Sequence, residues 1–154
     1  MKPGRLRTLI AVCAFAATPA MAADPSPAGR WMTIDDESGK PRSVIEIYDA
    51  GGAMDGKVTK IYSKPGDNPQ HLCRKCAGDL KDKPVIGMTI LSGLKNDGDV
   101  WDGGTILDPD SGNVYSAKIT LIDGGQKLVV RGFLGLSLFG RSQTWVREAD
   151  ASPK

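Results

Sequence analysis

The sequence predicts an all-β protein: eight short antiparallel strands in up-and-down order, closed into a barrel and interrupted by one long loop. Three observations carry this expectation. Apolar and polar residues alternate over successive short runs, and no stretch keeps helical spacing for three turns, so at most one or two short helical turns are expected. Turn-forming clusters, ESGK, DAGG, KNDG, DPDSGN and IDGG, fall between those runs. Gly56, Gly87, Gly103 and Gly132 fall inside candidate strands, where a barrel bends sharply, which favours a barrel over a sandwich.

The first 22 residues stand apart from this pattern. Lys2, Arg5 and Arg7 precede an apolar run from about Leu9 to Ala17, and small residues close the segment at Ala20-Met21-Ala22. That is the grammar of a cleaved secretory signal peptide, and the run is far short of the roughly 20 residues a membrane span needs. Cys13 follows Val12 rather than a small residue, so lipid anchoring is not expected. Cleavage after Ala22 leaves residues 23–154 as a single domain, placed in the periplasm or outside the cell. Losing three of 20 basic residues leaves 17 against 18 acidic ones, a formal charge of −1. Nucleic acid is thereby a poor partner, because phosphate binding needs clustered positive excess.

After a proline-rich lead at 24–28, the strands are expected at 30–34, 43–49, 53–63, 84–94, 99–107, 113–122, 126–134 and 141–148. Alternation is clearest in the sixth, where Tyr115, Ala117, Ile119 and Leu121 share one face and Ser116, Lys118 and Thr120 the other. The tail from 149 is polar and expected to fray. Asp102, Asp108, Asp110 and Asp123 stand beside glycine or proline and read as turn residues bonding nearby backbone amides. Their spacing does not make a calcium loop. No nucleophile elbow or phosphate-binding loop occurs, and a lone His71 gives a hydrolase no base-and-nucleophile pair. No catalytic residue and no cofactor is expected.

Residues 63–84 are too long and too rich in proline for a strand connection unless they are functional or internally braced. They hold Cys73 and Cys76. A catalytic dithiol would profit from Arg74 and Lys75 but lacks the helix that stabilises its thiolate. A metal would have His71, Cys73, Cys76 and Asp79 but no second ligand pair, so none is expected. A local disulfide suits an even cysteine count in an oxidising compartment, and its expected effect is to stiffen the loop.

On the last strand Arg141, Gln143, Trp145 and Arg147 share one face. Pointing inward, they form either a hydrogen-bonded plug or, through Arg141, Gln143 and Trp145 with Tyr115, a polar subsite for an anionic ligand headgroup beside apolar walls. RGFLGLSLFGR, between the last two strands, is expected to be a buried cap, since an exposed apolar patch there would mark a partner or membrane contact.

Gly29-Arg30-Trp31, the CRKC pair, KPVIGMTIL, VWDGGTILDPDSGNVYSAK, RGFLG and the closing GRSQTWVR together resemble the bacterial envelope family known as domain of unknown function 2147, over nearly all of residues 23–154. The resemblance implies a lipocalin-like barrel in an exported protein and no established activity. It also implies that Gly29 and Trp31 close one end of the barrel with Arg147 packed on the tryptophan face, Arg141 being the alternative partner. The expected function is non-catalytic binding of a small amphipathic or hydrophobic ligand, with the 63–84 loop framing the entrance. A thiol-redox protein using Cys73 and Cys76, and an envelope interaction module with a filled barrel, are the alternatives. Protein partners are left open.

Overall fold

Alternation makes each strand two-faced, and eight such strands bury one face each without leaving an open edge only by closing on themselves. The computed structural model, which describes residues 25–148, has that closed form. β1 (Gly29–Ile34), β2 (Pro41–Asp49), β3 (Met54–Ile61), β4 (Thr89–Asp97), β5 (Val100–Leu107), β6 (Val114–Ile122), β7 (Lys127–Phe133) and β8 (Gly140–Arg147) each pair antiparallel with the next. β8 returns to β1 through Trp31 opposite Arg147 and Met32 opposite Val146. The signal peptide expected over residues 1–22, with Cys13, and the tail from 149 lie outside the described residues.

Turn chemistry sets the connections. The Asp49 carboxylate accepts 2.8 Å bonds from the amides of Gly51 and Gly52, which turn β2 into β3 and hold its pKa below the usual carboxylate range. Asp108 braces the turn between β5 and β6, accepting from the Asp110 amide at 3.0 Å and the Ser111 hydroxyl at 2.7 Å. Asp110 and Asp123 act differently from the expectation: their carboxylates face Arg42 at 3.7 Å and Lys127 at 3.0 Å. Single 3-10 turns occur at Gly78–Leu80 and Asp123–Gly125.

The strand expected from residue 84 begins at Thr89 instead. Pro84 bridges Leu72, the Val85 amide bonds the His71 carbonyl at 2.8 Å, and the chain turns at Gly87 before joining β3. Val85 and Met88 are buried while Ile86 is half exposed, so the apolar run PVIGM reads like a strand but covers the loop. The connection between β3 and β4 therefore spans 62–88.

The barrel interior has two halves. Trp31, Ile45, Ile47, Leu91, Leu94, Ala117, Ile119, Leu128 and Trp145 fill one end, all buried. At the other end lie the β1–β2 turn, the 62–88 loop, the β5–β6 turn and the β7–β8 loop. The outer wall carries cross-strand charges, among them Arg30 with Glu148 and Lys57 with Glu46. Such a wall differs from the apolar band of a lipid-facing barrel.

Candidate functional site

At the filled end, geometry converges on Arg147. Its guanidinium lies 4.2 Å from the Trp31 ring centroid, stacked as a cation on the aromatic face. Its Nε donates to the Gly125 carbonyl at 2.7 Å, Nη1 to Ala28 at 3.0 Å and Nη2 to Ser26 at 3.0 Å. The indole N–H of Trp31 donates to the Pro27 carbonyl at 2.8 Å. Gly29 lies beneath: a Cβ there would come 2.7 Å from Nη1, and its φ of +129° is one that other residues rarely adopt. Arg141, the other partner considered, is at the opposite end of β8.

That opposite end is open. A cavity of about 750 Å³ enters the barrel between the four mouth connections. Its inner wall takes residues from all eight strands: Thr33, Ser43, Val58, Ile90, Ile106, Tyr115, Val130 and Gln143. Val58, Ile90 and Val130 are buried apolar side chains, so the depth of the cavity is oily. Its rim is charged, carrying Asp35, Asp36, Glu37, Asp67, Asp108 and Asp110 against Arg42, Lys64 and Arg141.

Of the four headgroup candidates, Tyr115, Arg141 and Gln143 line this cavity, and Trp145 does not. Trp145 is buried in the filled half, its indole N–H donating to the Gln143 side-chain oxygen at 3.4 Å. It points inward as the period-two pattern requires, but one layer too deep to reach the cavity. Arg141 and Gln143 are already engaged: both donate to the Asp36 carboxylate, Gln143 at 3.3 Å. The chain's own carboxylate thus stands where an anionic headgroup would sit. Asp36 gives no local signal of this role, since it pairs with a residue 105 positions away.

Two further ion pairs tie the rim together. Arg42 donates to Asp67 at 2.5 Å across a half-buried contact. Desolvation works against both charges, yet the bond prevails: it holds the Asp67 carboxyl below its usual range and raises Arg42. Lys64 donates to Asp35 at 3.0 Å, and with the Ser38 amide and hydroxyl it holds the Asp35 carboxyl far below the usual range. The β1–β2 turn is thereby strapped to the 62–88 loop on one side and to β8 on the other.

The 62–88 loop forms one wall of the mouth through Lys64, Asp67, Asn68, His71, Leu72 and Val85. Cys73 and Cys76 are joined in a disulfide with Cα atoms 5.4 Å apart, and both are buried against the core. Catalytic dithiol exchange requires a sulfur that a partner can reach. Here the bonded sulfurs face inward, and Gly112 of the β5–β6 turn packs so closely on the Lys75 carbonyl that a side chain would overlap it. His71 is bonded to the Ser63 hydroxyl at 2.8 Å. Among the described residues no cluster of three or more His, Cys, Asp or Glu is placed to hold a metal, and no helix is long and apolar enough to cross a membrane.

The β7–β8 loop departs from the expected buried cap: Leu134, Leu136, Leu138 and Phe139 are all exposed. The cause is Arg131, whose side chain emerges on the outer wall. It donates Nε to the Ser137 carbonyl at 2.8 Å, Nη2 to Leu138 at 3.2 Å and Nη1 to the Ser142 hydroxyl at 2.9 Å. The loop backbone is thereby fastened to the outside of the barrel, and only Leu134 and Phe139 reach the cavity rim.

An eight-stranded meander, sealed at one end by stacked tryptophan and arginine and open at the other, is a lipocalin-like barrel. Residues 29–147 match the family described as uncharacterized protein conserved in bacteria, domain of unknown function 2147, and the chain belongs to it. The fold is similar to that of protein HP1028 from Helicobacter pylori, a lipocalin-family member. The TM-score is 0.69 at 19% identity, over 81% of this chain and 84% of that one. No curated protein matches the sequence.

Proposed function

We propose that this protein is an exported, non-catalytic binding protein that holds a small amphipathic ligand in the bacterial envelope. The observation that carries the reading is the cavity of about 750 Å³, within the roughly 300–1,000 Å³ typical of small-ligand sites. Its apolar depth suits a hydrocarbon or ring system, and its charged rim suits a polar head. The rim sets six carboxylates against three cations, and Asp36 occupies the place beside Arg141. A neutral or cationic head therefore fits better than an anionic one.

The test is fluorescence titration with the apolar dye N-phenylnaphthylamine, followed by displacement. Saturable binding, abolished in Val130→Trp, which fills the lumen, is the expected result. A long-chain alkylamine should displace the dye at lower concentration than the fatty acid of equal length. No binding, or equal binding by the filled variant, refutes the reading and returns the protein to an envelope module acting through its outer surface. Native mass spectrometry of protein from its own envelope would carry the ligand mass. Amino-terminal sequencing of that material should begin at Ala23, whereas a chain retaining residues 1–22 refutes export.

A further inference from the structure

We propose that the β7–β8 loop is a membrane-docking tip, by which the barrel settles on an anionic lipid surface with the outer wall of β6 and β7, rather than the acidic rim of its cavity, toward the headgroups. The contact rests on observations separate from the ligand-binding reading above. Leu134, Leu136, Leu138 and Phe139 are 65%, 71%, 80% and 69% exposed, four large apolar side chains within six residues of a loop tip. A water-facing loop gains nothing from such a display.

The display is held in place rather than incidental. Arg131 bonds two loop carbonyls, the Phe139 amide bonds the Leu136 carbonyl at 3.0 Å, and the chain reverses at Gly135 with φ +67°. These bonds occupy the Leu136, Ser137 and Leu138 carbonyls and the Phe139 amide while leaving the loop side chains outward, which reduces the polar groups stranded on entering an interfacial layer.

Charge selects the partner. Of the basic residues on the β7–β8 hairpin, Lys127 and Arg147 lie toward the filled end and Arg141 is held by Asp36, which leaves Arg131 as the hairpin cation beside the tip. Near the tip, Lys118 of β6 lies directly opposite Arg131 on the outer wall, and neither meets a carboxylate among the described residues. Two like charges side by side are unfavourable in isolation and are relieved by anionic headgroups. A convex apolar tip flanked by cations fits a lipid interface, whereas a flat protein partner would meet little of it. Leu134 and Phe139 also line the cavity, so the apolar tip reaches its rim.

The experiment is vesicle flotation of the mature protein, with phosphatidylcholine alone and with roughly a third phosphatidylglycerol. The wild type should float with the anionic vesicles, and added salt should weaken the association. Leu136→Asp/Leu138→Asp should lose roughly tenfold or more in partitioning, and Lys118→Ser a smaller, salt-dependent part. Both variants should keep the wild-type melting temperature and N-phenylnaphthylamine affinity. If the double variant fails to fold, Leu138→Ser alone should still reduce flotation. Failure of the wild type to float, or undiminished flotation of the double variant, overturns the proposal. So does self-association of the wild type that the double variant abolishes without vesicle binding, which would make the tip an interface between copies. Dye binding without flotation refutes the tip and leaves the cavity reading standing, and flotation without dye binding does the reverse.

Discussion

At the filled end of the barrel Arg147 stacks on Trp31 and gives its hydrogen bonds to three backbone carbonyls, whereas at the mouth Arg42 and Arg141 each face a carboxylate. Both arrangements pin an arginine, but they respond to different conditions. Carbonyl and indole acceptors do not titrate, and the Trp31 ring on which the guanidinium stacks is fully buried. The mouth pairs are partly exposed, screened by salt and sensitive to acid. One end is built to be permanent, and the other is built from contacts weak enough to yield to a ligand.

The largest effect should follow from cutting the permanent end. Trp31→Ala removes a fully buried indole and leaves Arg147 unstacked, so urea unfolding should show a loss of about 3–5 kcal/mol. A loss below about 1 kcal/mol would mean that the seal is dispensable. Next comes the clip in the 62–88 loop. Cys73→Ala/Cys76→Ala should cost about 2 kcal/mol, the chain-entropy value for so short a closure. Limited proteolysis should then cut within 62–88 while the strands stay intact, and cleavage in the strands would show that the clip supports the whole fold.

At the mouth, Asp67→Asn should cost on the order of 1 kcal/mol at neutral pH. Asp35 and Asp67 have folded pKa values below their unfolded ones, so their stabilisation is complete above about pH 4. It is lost as pH falls through the depressed folded values. The Asp67→Asn penalty should therefore shrink in strongly acidic buffer, whereas the Trp31→Ala penalty should not. A mouth that loosens between pH 5 and 8 would contradict this assignment. The smallest change expected is in selectivity: Asp36→Asn vacates the carboxylate position beside Arg141 and should improve fatty-acid binding relative to alkylamine by a few-fold. Unchanged selectivity would mean that the head does not reach Arg141.

Much of this molecule is legible in its sequence. Period-two alternation in β6 located Ala117 and Ile119 inside, and the DAGG and DPDSGN clusters located turns, because strand pitch and turn geometry are decided by neighbours in the chain. The same period put Arg141, Gln143, Trp145 and Arg147 on one face but carried no information about depth. Trp145 was consequently grouped with the mouth when it belongs to the filled half. PVIGM looked like strand because Val85 and Met88 are buried, but they are buried under the loop rather than in the ladder. The apolar β7–β8 loop was expected to turn inward because hydrophobicity is all that a sequence displays there. Arg131, six and seven residues from the carbonyls it holds, reverses that outcome.

The sequence by itself determined an all-β chain, the order of its strands and turns, and its membership of a recognisable bacterial family, since each of these follows from local periodicity and short motifs. Only the tertiary structure decided that half the barrel is full and half hollow, that Asp36 lies against Arg141, and that four apolar side chains face outward. Those three facts depend on where residues far apart in the chain meet across a closed sheet. No local pattern encodes that distance.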